Sequence, residues 1–271
     1  MTELATDDRP IAATSPLYGA TLVRREDLTD SLAFFWVKPD GPFIDFEPGQ
    51  YLTIGVESNG KLIQRPYSVA SSPRARDDGY EFYVRLVTGG MFTPLLWRVP
   101  TGQGMSLQGP KGKFMLEPDD ERMHVFISSG TGIAPFVSMM STLIYDGRPR
   151  RATVLHGASY LDELGYRELV EGWGASGMYP ASYIPTVSRP NDARNAGWSG
   201  RTGRVEAIVP AVYDELGLTP DNAIAYICGN PDMIATVEQT LLGRGFPEEQ
   251  VKKELYWPKG KEPRGTGSPP V

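Results

Sequence analysis

The sequence predicts two domains of different class: an antiparallel β-barrel or sandwich, then an α/β domain built on a parallel sheet. Three observations lead there. A chain of 271 residues suffices for about two domains, each with its own core. Residues 17–116 alternate apolar and polar side chains with a period of two, whereas beyond a polar seam, "EPDDER" (117–122), short buried runs alternate with helical stripes. The expected organisation is an N-terminal segment 1–16, a barrel-type domain 17–118, an α/β domain 119–257 and a C-terminal extension 258–271.

In the first domain Leu32, Phe34 and Trp36 fall on one strand face, as do Leu52, Ile54 and Val56, then Phe82, Val84 and Leu86. Turn chemistry separates these runs at "EPGQ" (47–50), "SNGK" (58–61), "VPTGQG" (99–104) and "QGPKGK" (108–113). Many short strands without a long helix point to an antiparallel barrel or sandwich. In the second domain "MHVFISS" reads as a buried strand, and "APFVSMMSTLIY" sets Phe136, Met139, Met140 and Leu143 on one helical stripe. Further strands are expected in "RATVLHGAS", "ASYIPTVS", "AIAYICGN" and "QVKKELYW", with helices in "DELGYRELVEGW", "GRVEAIVPAVYDELG" and "PDMIATVEQTLLGRG". Such alternation implies right-handed crossovers and a parallel sheet.

Composition narrows the function. A net charge of −6 and a pI near 5.1 argue against nucleic acid as the main partner. The single cysteine, Cys228, excludes an internal disulfide and any four-cysteine metal or iron–sulfur site. His124 and His156 lack ligand spacing and read as structural, so no metal site is expected. The N-terminus has no apolar core of a signal peptide, and no run reaches ~18 apolar residues. A cytoplasmic protein without a membrane span is expected.

Two glycine-rich turns stand where phosphates bind. "SSGTGIAP" (128–135) follows a buried strand and opens a helix, so its backbone can approach a pyrophosphate while free helix N–H groups face it; a tight structural turn would read the same way. "GGMFTPLL" (89–96) repeats the pattern in the first domain. The end of the second parallel strand, "VLHGASY", lacks the carboxylate that would hold a ribose 2′-hydroxyl. Cations follow the third strand instead: Ser188 and Arg189, then Arg201 and Arg204, which suit a 2′-phosphate.

With "RPYS" (65–68), "CGNPDM" (228–233) and "ELYW" (254–257), these motifs stand in the order found in the ferredoxin–NADP reductase family, whose bacterial FAD-containing branch the chain resembles over roughly residues 17–257. The resemblance implies a six-stranded antiparallel flavin-binding barrel followed by a doubly wound five-stranded parallel nucleotide-binding sheet. It implies FAD and NADP(H) as cofactors. Arg65, Pro66, Tyr67 and Ser68 would meet the flavin, with Ser68 beside its hydride-accepting nitrogen, and Gly89, Gly90, Met91 and Thr93 would line the FAD pyrophosphate. Gly130, Thr131 and Gly132 would hold the NADP pyrophosphate, Ser188, Arg189 and Arg204 its 2′-phosphate, and Cys228 and Gly229 the nicotinamide end. Ser68, Cys228, Glu254 and Tyr256 would form the catalytic set, with Tyr256 stacked on the flavin and gating the nicotinamide, and Trp257 on the adenine side. Ser159 stands where relatives often carry an arginine, and the chain continues beyond Trp257.

The implied activity is that of a ferredoxin–NADP(+) reductase: hydride from NADPH in, single electrons out to ferredoxin or flavodoxin, by a monomer. Lys111, Lys113, Lys252, Lys253, Lys259 and Lys261 are the candidate docking cations for such a carrier. An NAD(P)H-dependent flavin reductase, an oxygenase reductase component and an electron-relay subunit of a fixed complex remain alternatives on the same fold.

Overall fold

A computed structural model describes residues 17–255. The segments 1–16 and 258–271, with Tyr256 and Trp257, lie outside the described residues.

The first domain contains β1 (Leu17–Thr29), β2 (Leu32–Pro39), β3 (Tyr51–Ser58), β4 (Lys61–Ser68), β5 (Tyr80–Arg85) and β6 (Gly104–Lys111), with a one-turn helix α1 (Thr93–Leu96) before β6. These form one antiparallel sheet in the order β4-β3-β6-β1-β2-β5. Its edge strands β4 and β5 come together, which gives the barrel-like closure. The "SNGK" turn holds Asn59 and Gly60 at φ of 51° and 69°, the left-handed pair that matches the twist of a two-residue hairpin.

Strand β2 is buried on both faces, which alternation alone did not reveal. Ala33, Phe35 and Val37 fill the barrel with Leu52, Ile54, Phe82 and Val84. Leu32, Phe34 and Trp36 point the other way and pack, with Tyr83, against Tyr166 and Val170 of the second domain.

The second domain runs β7 (Met123–Ser129), α2 (Ala134–Tyr145), β8 (Ala152–Ala158), α3 (Arg167–Ala175), β9 (Ala181–Val187), β10 (Arg201–Thr202), α4 (Val205–Glu215), β11 (Ala223–Gly229), α5 (Pro231–Gly243) and β12 (Val251–Leu255). The parallel sheet has the order β10-β9-β8-β7-β11-β12. It therefore has six strands rather than the expected five: Arg201 and Thr202 pair with Thr186 and Val187 as a two-residue edge strand too short to show a period. Alternate residues of β11 divide the domain. Ala223, Ala225 and Ile227 pack under α4 and α5, while Ile224, Tyr226 and Cys228 face α2.

The helix expected from residue 162 begins only at Arg167. Gly165 explains the delay: a Cβ there would sit 2.7 Å from the Tyr83 hydroxyl of the barrel, so this stretch is shaped by the neighbouring domain. Tyr83 Oη donates to the Glu163 carbonyl (2.9 Å) and accepts from Gly165 N (3.3 Å), and Arg85 pairs with the Glu163 carboxylate at 2.9 Å. Tyr166 Oη donates to Glu81 at 2.5 Å, Ser138 Oγ to the Ser71 carbonyl at 2.7 Å, and Arg74 pairs with Asp146 at 2.9 Å. The two domains are locked side by side along β5.

Candidate functional site

The carboxyl ends of β7 and β11 adjoin at the point where the strand order reverses, which is where open α/β sheets bind ligands. Beyond β7, Gly130–Ile133 form a 3-10 turn into α2, with Gly130 at φ +53°. A Cβ on Gly132 would lie 2.3 Å from the Cys228 carbonyl oxygen, so only glycine lets this turn settle against the end of β11. Gly229 is equally constrained, at φ +139° with Ser129 Oγ 2.5 Å from a notional Cβ. Asn230 then caps α5, its Oδ1 accepting from Asp232 N at 2.9 Å.

His156 braces this turn from inside the sheet. It is fully buried, with Nε2 2.9 Å from the Gly130 carbonyl and Nδ1 2.8 Å from Tyr183 Oη. A carbonyl can only accept, so Nε2 carries the proton and Nδ1 accepts from the tyrosine. Burial pushes the ring down to about 4, so it is neutral near pH 7. The same value and cause hold for His124, whose Nε2 meets the Asp120 carbonyl at 3.2 Å.

At the outer end of the crevice, Ser188 N donates to the Ala158 carbonyl (2.9 Å), and Arg189 Nη1 donates to Tyr160 Oη at 2.5 Å. Thr186 Oγ1 donates to the Gly203 carbonyl (2.8 Å), which holds the turn before exposed Arg204 to the end of β9. Arg204 has no side-chain partner among the described residues. Arg201 does not join this group, because it pairs with Glu215 on α4. The carboxylates following β8 are both engaged, Asp162 by Arg194 at 2.6 Å and Glu163 by Arg85. Sequence reasoning missed Tyr160, Arg194 and Asn195, which lie in irregular loops where no period marks them; the one local signal was the capping residue Asp192, which opens the turn Ala193–Asn195.

On the barrel side, β4 delivers the "RPYS" residues by alternation. Tyr67 and Arg65 are paired with Leu52 and Ile54 and share their face. The Tyr67 ring lies 5.8 Å from that of Phe92, and burial raises its hydroxyl well above the usual tyrosine range. Arg65 is exposed and, among the described residues, donates only to the adjacent Gln64 carbonyl (2.7 Å); Pro66 is exposed beside it. Gly89 and Met91 are exposed and Gly90 half-buried, with Gly90 N donating to the Val87 carbonyl at 2.8 Å. Thr93 braces the loop: its hydroxyl accepts from Val87 N (2.9 Å) and donates to Val87 O (3.2 Å). The N–H groups of Met91 and Phe92 have no acceptor among the described residues. Free N–H groups beside the half-buried Tyr67 ring, with exposed Arg65 two residues away on the same strand, fit a phosphorylated flavin, which Arg65, Tyr67, Met91 and Phe92 would hold.

Ser68 is on the opposite face of β4, buried, and its Oγ donates to Glu254 Oε2 at 3.3 Å. Glu254 stands beside Cys228 in the β11–β12 register, and a Cβ on Gly112 would be 3.3 Å from its other oxygen. Burial pushes its carboxyl up to about 7, partly offset by the serine. Three of the four expected catalytic residues, Ser68, Cys228 and Glu254, thus gather at the domain boundary, with Cys228 fully buried. The expected docking cations are divided: Lys252 pairs with Glu117 and Lys253 with Glu238, while Lys111 and Lys113 are exposed. Lys259 and Lys261 lie outside the described residues. Among the described residues no group of side chains could hold a metal, and no helix is long and apolar enough to cross a membrane.

Known proteins resemble both domains of the chain. Residues 19–116 match the oxidoreductase FAD-binding domain, and residues 126–239 the oxidoreductase NAD-binding domain. The chain is 32% identical over 225 residues to ferredoxin–NADP reductase B of Sorangium cellulosum, covering 81% of this chain and 88% of that one. It is 31% identical to the phenol hydroxylase P5 protein of Acinetobacter pittii over 88% of this chain, but spans only 65% of that protein. In structure it resembles a ferredoxin NADP+ reductase from Neisseria gonorrhoeae with bound FAD and NADP, with a TM-score of 0.76, 24% identity, and coverage of 88% of this chain and 98% of that one. The chain belongs to the ferredoxin–NADP reductase family of oxidoreductases, with an FAD-binding barrel and an NAD(P)-binding sheet.

Proposed function

We propose that this chain oxidises NADPH and passes the electrons singly to ferredoxin or flavodoxin, as a ferredoxin–NADP(+) reductase working as a cytoplasmic monomer. The observation that carries the reading is the Ser68–Glu254 pair, which holds a carboxyl poised near pH 7 between the "RPYS" strand and the nucleotide sheet. FAD, when bound, supplies the change from a two-electron hydride to single electrons. The protein's own part is to position and to manage a proton. Tyr67 and Arg65 orient the flavin, the Gly130–Gly132 turn receives the dinucleotide phosphates, and Glu254 takes up or gives back a proton at its carboxyl through the Ser68 hydroxyl. Tyr256 and Trp257, directly after Leu255, are assigned the flavin ring and adenine by the family pattern, with Tyr256 as the gate.

Preference for NADPH is supported by the engaged carboxylates Asp162 and Glu163 and by Arg204, which has no side-chain partner among the described residues. A separate carrier is supported by the single cysteine, which cannot supply the thiolates of an iron–sulfur cluster. The 31% identity to the phenol hydroxylase P5 protein favours one second reading, a reductase component for an oxygenase. The test is an anaerobic absorbance titration of the purified protein with NADPH and then NADH, followed by turnover with ferredoxin and with flavodoxin. A yellow protein bleached preferentially by NADPH, and reoxidised by either carrier, supports the proposal. Equal bleaching by both nucleotides, or no carrier turnover, overturns it.

A further inference from the structure

We propose that Asn195 is the positioning residue through which this chain discriminates a dinucleotide bearing a 2′-phosphate from one without. The inference rests on the NADPH reading above and adds to it a residue that contacts no ligand.

Asn195 is 2% exposed, at the end of the short turn Ala193–Asn195, which Asp192 caps by accepting from Arg194 N at 2.9 Å. Its carboxamide is used on both sides. Oδ1 accepts from Leu161 N at 2.7 Å, and Nδ2 donates to the carbonyls of Ser159 (3.0 Å) and Arg189 (2.8 Å). Ser159 and Leu161 flank Tyr160 in the loop after β8, and Arg189 heads the loop after β9. One buried amide therefore ties together the two backbone segments whose side chains, Tyr160 and Arg189, meet at 2.5 Å. Arg194, on the same turn, adds a second fastening: its guanidinium lies 3.7 Å from the centre of the Tyr160 ring and pairs with Asp162.

The far end of the β8 loop is already anchored to the barrel, through Tyr83 and Arg85 to Glu163. Asn195 is the fastening at its nucleotide end. The chemistry asks for this residue type. Two N–H donors and an acceptor in one plane match two carbonyls and one amide; aspartate lacks the donors, and an apolar side chain would take the side-chain partner from the Leu161 N–H and the Ser159 carbonyl and leave the Arg189 carbonyl with Asp192 N alone. Charge-assisted bonds to a phosphate depend on the direction of the guanidinium as well as its charge. Releasing the Arg189 backbone from the loop that carries Tyr160 therefore weakens the grip on a 2′-phosphate, although the Arg189 carbonyl keeps its bond from Asp192 N (3.1 Å). The pyrophosphate turn at Gly130–Gly132 belongs to other strands and is left as it was.

The test uses the FAD-loaded protein and two small probes, 2′-phospho-AMP and 5′-AMP, with binding measured by calorimetry and kcat and KM measured for NADPH and NADH. Asn195→Ser should weaken 2′-phospho-AMP about tenfold, leave 5′-AMP within about twofold, and raise KM for NADPH without lowering kcat. Asn195→Gln keeps the amide one methylene out of place; it should lose less, and it carries the test if the serine variant does not fold. Arg189→Ala and Arg204→Ala are the reference. If they weaken 2′-phospho-AMP while both Asn195 variants bind it like the unsubstituted protein, or lose both probes equally, Asn195 is only a structural brace and the inference falls. If the arginine variants also leave 2′-phospho-AMP unchanged, the NADPH reading falls, and the inference with it.

Discussion

Ser68 and Glu254, 186 residues apart in sequence, share a hydrogen bond of 3.3 Å across the boundary between the barrel and the parallel sheet. The pair exists only when the two domains are assembled, and burial there pushes the carboxyl up to about 7. Because the folded value lies above the unfolded one of 4.5, the folded state binds more protons between those values. Stability from this group is therefore fully present below about pH 4.5 and lost as pH rises through 7. The loss amounts to about 3 kcal/mol. Glu254→Gln should flatten the slope of stability between pH 4.5 and 7 in urea denaturation, and should slow exchange with NADPH by roughly 100-fold or more. An unchanged pH profile and unchanged rates would remove Glu254 from the proton-handling role.

The reverse sign holds for His156. Its value falls from 6.5 to about 4, so its contribution is present above pH 6.5 and lost as pH drops towards 4. His156→Gln should lessen acid sensitivity in that window and, because the bond to the Gly130 carbonyl is disturbed, weaken dinucleotide binding. Thermal melts at pH 4.5 and 7.5, with a nucleotide titration at the higher pH, measure both.

Gly132 faces backbone, which cannot rotate away as a side chain would. Gly132→Ala should destabilise by about 1–3 kcal/mol from overpacking and cut nucleotide binding. Gly147→Ala, at an open turn where no atom lies within 4 Å of a notional Cβ, should cost about 1–2 kcal/mol from its positive φ alone and leave nucleotide binding unchanged. Chemical denaturation and a nucleotide titration of both variants separate the two effects, since only Gly132→Ala should lose nucleotide.

Thr93→Val removes the hydroxyl that both accepts from and donates to Val87. The fold should lose about 1–3 kcal/mol, and FAD should dissociate faster on dilution because the loop carrying Met91 and Phe92 is loosened. Flavin fluorescence released over time is the measurement. Arg65→Ala should release flavin as well but leave the melting temperature of the flavin-free protein unchanged, since Arg65 is exposed and among the described residues bonds only to its neighbour.

Local sequence was enough for whatever depends on near neighbours along the chain. Alternation along Leu52, Ile54 and Val56, the left-handed turn at Asn59 and Gly60, the helical stripe of α2 and the glycine turn at 130–132 are all short-range patterns, legible because each follows from strand or helix periodicity or from glycine's freedom at positive φ. Assembly decided the remainder. Phe34 and Trp36 read as one face of a strand, but it is the second domain that buries that face, while Ala33, Phe35 and Val37 opposite fill the barrel. Gly165 delays α3 because Tyr83 of the barrel stands beside it, and Arg201 forms a sixth strand instead of joining Arg204 because Thr186 and Glu215 are its neighbours. Asn195 carries no periodic signal at all, since its three partners lie 6 to 36 residues away and meet only when two loops close. The poised carboxyl of Glu254 belongs to this second group, because desolvation depends on everything packed around a residue and a linear sequence does not specify that local dielectric.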